Sequence, residues 1–196
     1  MSTMYLTKKM TPDSLDDVRN MAQQTKDVID HVYLHWTGGH YGQAYDAYHI
    51  CIDKDGSIYI MCDSFADTLA HTYMRNSYSV GVTLCCCADA SCEADGSVDL
   101  GSEPPTTEQI ESMAQVVAVL SDEYMLPLDC PDYVMTHCEA AFEDGYGPGD
   151  GDPDMRWDLW YLPDEYGSGS LEPGGDLIRG KAAFYQRVWE HDVMGD

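Results

Sequence analysis

The chain has 196 residues, 44% of them apolar and 11% aromatic, enough to build one buried core and to exclude wholesale disorder. Ten basic against 35 acidic residues give a net charge of −25, which argues against nucleic acid or an anionic membrane as a partner. No apolar run approaches the about 20 residues needed to cross a bilayer, and Met1–Met10 lacks the apolar stretch of a secretory signal, so synthesis in the cytoplasm is expected.

In chain order, residues 11–29 predict a helix. Thr11 is placed as N-cap and Pro12 in the first turn, with Leu15, Val18, Met21, Ala22, Thr25, Val28 and Ile29 forming a stripe at helical spacing. His31–Trp36 is short, β-rich and apolar on both faces, as expected of a central strand, and ends at Thr37-Gly38-Gly39. Residues 47–62 predict a hairpin turning at Asp53–Gly56. Ser79–Cys87 is a further strand, and residues 88–105 form an acidic loop ending in Pro104-Pro105. Thr106 and Gln109 form a capping-box pattern that opens a second helix. Tyr133–Thr136 is a short strand leading straight to His137. A Gly/Asp-rich loop covers about 143–156, and a last helix about 176–191. Interleaved strands and helices without a repeat predict an α/β fold, a single mixed central β-sheet flanked by helices, in one domain spanning 1–196.

Eight cysteines, three of them consecutive at 85–87, offer no CxxC pair and read as small buried hydrophobes rather than a disulfide framework or zinc knuckle. The chemistry concentrates elsewhere. His35 and His137 each stand at a strand end, where a rigid scaffold presents side chains to a cleft. With an aspartate from the loop after His137 they would make a three-ligand zinc site with one open position. Within that loop Asp150, Asp152 and Asp154 are close alternatives. They also mimic the start of a calcium loop, but Met155 occupies the place of its obligatory glycine.

Local sequence narrows this. Tyr48-His49-Ile50-Cys51-Ile52-Asp53-Lys54-Asp55-Gly56-Ser57-Ile58-Tyr59, Ala70-His71 with Asn76-Ser77-Tyr78-Ser79-Val80-Gly81-Val82, Thr136-His137-Cys138-Glu139, and Asp152-Pro153 with Trp157-Asp158-Leu159 follow one another in order after His35-Trp36-Thr37-Gly38-Gly39. Together they resemble the motifs of type 2 N-acetylmuramoyl-L-alanine amidases, a family that includes phage endolysins, muropeptide-recycling amidases and peptidoglycan recognition proteins. The resemblance implies a peptidoglycan-recognition-protein/amidase-like fold and zinc (Zn2+) held by His35, His137 and Asp152, the last favoured by Pro153 beside it. It implies hydrolysis of the amide between the lactyl group of N-acetylmuramic acid and L-alanine, with peptidoglycan or muropeptide as substrate and the chain acting as a monomer. Tyr48 would stabilise the oxyanion. His71 would serve as a cleft donor or as the partner that orients a ligand. Thr83 stands where recycling amidases carry a glutamate, which tilts the expectation towards a phage-type endolysin acting on the cell wall. A cytosolic recycling amidase and a non-catalytic peptidoglycan-binding module are the alternatives. Asp150 stands where many members carry a lysine, and Arg156 is the candidate to replace that lysine. Trp36, Tyr33, Tyr41, Tyr45 and Tyr73 are candidates for sugar stacking.

Overall fold

The computed structural model describes residues 3–6, 10–93, 96–152, 154–164 and 169–194. Part of Met1–Met10 and Pro153, which entered the reading of the sequence, lie outside them. In order the elements are β1 (Thr3–Tyr5), α1 (Leu15–Gln23), β2 (His31–Trp36), β3 (Gln43–Tyr45), β4 (Ile50–Ile52), β5 (Ile58–Ile60), β6 (Ser79–Leu84), β7 (Ser91–Cys92), β8 (Val98–Asp99), α2 (Thr107–Tyr124), β9 (Val134–Thr136), α3 (His137–Asp144), β10 (Tyr161–Pro163), β11 (Leu171–Pro173) and α4 (Gly174–Met194). No described helix is long and apolar enough to cross a membrane.

Five strands form the central mixed sheet in the order β5-β4-β6-β2-β9. β2 runs parallel to both β6 and β9, β4 runs parallel to β6, and only β5 is antiparallel to its neighbour. Successive side chains of a strand point to opposite faces, so the alternation sorts the molecule into two sides. Val32, Leu34 and Trp36 of β2, Val80, Val82 and Leu84 of β6, and Ile50 and Ile52 of β4 join one apolar core with α1, α2 and α4. Tyr33, His35, Ser79, Gly81, Thr83 and Cys51 occupy the alternate positions. The helix-covered face supplies burial, and the other face carries the polar groups.

α2 is buried around most of its circumference, and its capping box is the one expected at Thr106 and Gln109. The buried Gln109 amide also donates to the carbonyls of Ile52 (3.0 Å) and Cys85 (3.2 Å), satisfying the ends of β4 and β6.

Three local expectations are corrected. α1 begins at Leu15 with Ser14 as N-cap, not at Thr11. Asp13 is engaged by the sheet edge, its N–H donating to Ile58 O and its carboxylate accepting from Ile60 N–H, both at 2.8 Å, so the helix starts after it. The loop at 88–105 contains the small antiparallel pair β7–β8. His137 and Cys138 open a helix, α3, rather than ending a strand.

Candidate metal centre and cleft

His35 is the fifth residue of β2, in register with Thr83 of β6. Its side chain is fully buried on the polar face of the sheet. His137 is the first residue of α3, whose N-cap Thr136 ends β9, the other parallel neighbour of β2. Thr136 Oγ1 accepts from Glu139 N–H (3.1 Å), and the Glu139 carboxylate accepts from Thr136 N–H (2.8 Å). This reciprocal cap fixes where the strand stops and how His137 emerges.

The third group is Asp158. His35 Nδ1 and His137 Nδ1 lie 3.1 Å apart, and Asp158 Oδ2 is 3.0 Å from the first and 3.2 Å from the second. Asp158 is held there by its own backbone: its carbonyl accepts from Cys138 N–H at 3.2 Å. The next residue, Leu159, turns the chain in the left-handed region (φ 59°) and is fully buried. Asp152, the expected third ligand, stands apart from this group. It is exposed, its carboxylate accepts from Asp154 N–H at 2.8 Å, and it lines the cleft without joining the imidazoles.

Three donor atoms about 3.1 Å apart approach the edge of a tetrahedron built on bonds of about 2.0–2.2 Å, roughly 3.3–3.6 Å. Two imidazole nitrogens and a carboxylate oxygen are borderline-to-hard ligands suited to zinc. His35, His137 and Asp158 are the group among the described residues with this convergence. Their electrostatics agree with a cation site. Burial pushes His35 down to about 4, so its ring is neutral near pH 7. Burial alone would raise the Asp158 carboxyl, but the imidazoles beside it, His137 foremost, outweigh this and hold the group well below the usual carboxylate range. His137 Nε2 is buried without a protein partner.

The centre lies in a cleft of about 1100 Å³. Trp36 and Trp157 form an edge-to-face pair in its wall (5.1 Å between rings), and Tyr73 and Tyr146 form another (5.9 Å). Tyr48 lines the cleft with its ring 5.1 Å from His35, and burial, followed by the charge of Asp158, raises its phenol far above the ordinary value. Arg156 also lines the cleft, but it is exposed and its Nη1 donates to the carbonyls of its own loop at Asp154 and Met155. Asp150, at the position discussed for a lysine, accepts from Gly147 N–H (2.9 Å) and shapes the loop. His71 is buried, with both ring nitrogens engaged by hydroxyls, Nδ1 at Thr72 (2.9 Å) and Nε2 at Ser79 (3.4 Å). Cys138, beside His137, is buried, and burial pushes its thiol above its normal value, which suits packing rather than nucleophilic attack.

In the sequence Asp158 is only the middle of Trp157-Asp158-Leu159 and Thr72 carries no motif; what brings Asp158 to the imidazoles, a backbone bond to α3, is tertiary.

A family model described as N-acetylmuramoyl-L-alanine amidase matches residues 24–153, which include both histidines and stop short of Asp158. Among solved structures, the endolysin amidase LysCS from Clostridium intestinale URNW is 16% identical, with 57% of this chain and 70% of that one covered and a TM-score of 0.40. The Ph2119 endolysin from the Thermus scotoductus MAT2119 bacteriophage Ph2119 is 15% identical over 57% and 72% of the two chains, with a TM-score of 0.43. Drosophila PGRP-LB is 18% identical over 65% and 83%, with a TM-score of 0.40. No curated protein sequence matches the chain.

Proposed function

The chain belongs to the N-acetylmuramoyl-L-alanine amidase family, and from that premise we propose that residues 1–196 form one zinc-dependent catalytic domain. It hydrolyses the amide between the lactyl group of N-acetylmuramic acid and L-alanine in peptidoglycan, in the role of a phage-type endolysin. The observation that carries the reading is the convergence of His35 Nδ1, His137 Nδ1 and Asp158 Oδ2 at the floor of a cleft.

His35, His137 and Asp158 would hold the ion. Bound zinc supplies Lewis acidity, polarising a carbonyl and lowering the pKa of water towards about 7. The protein does the rest by position. Asp158 adds a negative charge that offsets half of the cation's charge. Tyr48 stays protonated through the working pH range because ionising it there is costly, so its phenol is a permanent donor for negative charge developing on the substrate oxygen. The paired rings of Trp36 with Trp157 and of Tyr73 with Tyr146 give apolar surface on which a sugar or the stem peptide packs, excluding water. Thr83, buried and in register with His35, leaves no glutamate at that position, which favours the endolysin role over muropeptide recycling.

The test joins metal content with product analysis. Purified protein should carry about one zinc per chain and release peptide-free muramic acid ends from purified sacculi. Asp158→Ala should lose zinc and activity together, whereas Asp152→Ala should keep both. Muropeptide binding with neither zinc nor hydrolysis would assign the chain instead to a non-catalytic binding module.

A further inference from the structure

A metal-binding imidazole must present a bare nitrogen, and which nitrogen is bare depends on where the other one's proton goes. Around His35 the hydrogen bonds run in one direction only. They begin at the Arg75 carbonyl, which can only accept. Ser79 Oγ lies 2.8 Å from it and spends its single proton there. Ser79 therefore accepts from His71, whose Nε2 is 3.4 Å away and carries the ring proton. His71 is buried with only hydroxyls at its two ring nitrogens, so with the proton on Nε2 its Nδ1 accepts from the Thr72 hydroxyl at 2.9 Å. Thr72 has then spent its own proton, and its oxygen accepts from His35 Nε2–H at 3.3 Å. With its proton on Nε2, the His35 ring faces His137 Nδ1 and Asp158 Oδ2 with the lone pair of Nδ1.

We infer that Ser79, His71 and Thr72 form a one-way hydrogen-bond relay, anchored on the Arg75 carbonyl, that sets the tautomer of His35 and so points its Nδ1 lone pair into the metal centre. These three are positioning residues, with His35 the atom they act through. With Nδ1 bare, its 3.0 Å contact with a carboxylate oxygen sets two lone pairs against each other, an arrangement that calls for a cation between them. The relay thus rests on the metal-centre reading and strengthens it.

The relay's own frame is built to stay fixed. Asn76 Oδ1 accepts from both His71 N–H (3.0 Å) and Thr72 N–H (2.8 Å), holding the segment that carries the two side chains. Arg75 clamps that segment to the end of α3 through Asp144 (2.6 and 2.7 Å) and Glu143 (2.9 Å). Gly81, on β6 beside the relay, leaves the space that the His71 ring fills: a Cβ there would stand 2.6 Å from it. The loop from 71 to 79 and the start of β6 thus serve one purpose, seating His71 between two hydroxyls.

The experiment uses two readouts on the full chain. In metal-free protein labelled with 15N-histidine, long-range ring correlations should show His35 as the Nε2–H tautomer, and so too His71. In parallel, zinc affinity is measured by competition with a chromogenic chelator. Thr72→Val, which keeps the shape and removes the hydroxyl, should weaken zinc binding about 10–100-fold and shift His35 towards a mixture of tautomers. Thr72→Ser should restore both to within a few-fold of wild type, and Ser79→Ala should give a smaller loss than Thr72→Val. An Nδ1–H tautomer at His35, or Thr72→Val binding zinc as tightly as wild type, would overturn the relay. Failure of the functional reading looks different: a His35 ring of the expected tautomer in a protein that takes up no zinc supports the relay and removes the zinc amidase.

Discussion

Tyr48 and Asp158 divide the residue-scale work, one as a neutral donor and one as a buried charge. Tyr48 is 8% exposed and its ring meets that of His35, so replacing it changes the chemistry with little effect on packing. Tyr48→Phe should therefore keep zinc and fold but lower kcat about 100–1000-fold with KM nearly unchanged, as removal of an oxyanion donor does; steady-state kinetics on a soluble muropeptide checks it, and an unchanged kcat would take Tyr48 out of the mechanism. The same scale shows the limit of reading a sequence. His35, His137 and Tyr48 are legible because each is tied to a strand or hairpin whose pattern is local. The choice between Asp152 and Asp158 is not, because the five residues between them carry no periodicity. The bond from Cys138 N–H to Asp158 O and the left-handed turn at Leu159 bring Asp158 beside the imidazoles, and neither has a local signature.

At the scale of elements, the placement of His137 depends on how α3 starts. Its Thr136-His137-Cys138-Glu139 pattern is a capping box as plain as that of Thr106 and Gln109, yet eight residues of mostly acidic and small side chains show no apolar stripe to announce a helix. α2 was legible because its stripe runs for five turns beyond its cap, and α1 was misplaced because Asp13, a good first-turn residue, is claimed by the edge of β5. The α3 cap is tied further into the fold: Glu139 also pairs with the buried Arg179 of α4 through two contacts of 2.8 Å, and Arg179 in turn donates to Val134 O of β9. Thr136→Ala removes one arm of the cap and should cost about 1 kcal/mol in urea denaturation. Because the cap sets the exit of His137, the same variant should also weaken zinc binding several-fold, whereas Thr106→Ala, at a cap remote from the centre, should cost comparable stability and leave zinc affinity unchanged. Equal zinc affinity in both variants would show that α3 holds His137 without its cap.

Over the whole molecule, the sheet sets an apolar face under three helices against a face that buries a row of imidazoles, with ring centres of His35, His49, His71 and His137 spaced 4.8–5.5 Å from one to the next. Such a row is tolerable only while the rings stay neutral or hold a cation. His49 is its far end and takes no part in the centre. Gly81 N–H donates to its Nδ1 (2.9 Å), and its Nε2–H donates to Asp67 O (2.8 Å), so a second proton would set two donors against each other across the β4–β6 side of the sheet. Burial accordingly pushes His49 below its ordinary value, the Asp67 carbonyl offsetting only part of this. The sign follows. In the unfolded chain the ring titrates near about 6.5, so below that pH the unfolded state binds more protons than the folded one and stability falls as pH falls; above it the stabilisation is complete. His71, pushed down to about 2 by burial, acts in the same direction. Between pH 7 and about 5.5 the carboxylates, with unfolded values near about 4, remain ionised, and the repulsion from a net charge of −25 stays nearly constant. The imidazoles therefore govern that window, each with a limiting slope of about 1.4 kcal/mol per pH unit. His49→Gln, which retains an amide to bridge Gly81 and Asp67, should be less stable than wild type at pH 7 but lose less between pH 7 and 5.5. Urea midpoints of the metal-free proteins at several pH values decide it, and parallel profiles for the two would remove His49 from the titrating set.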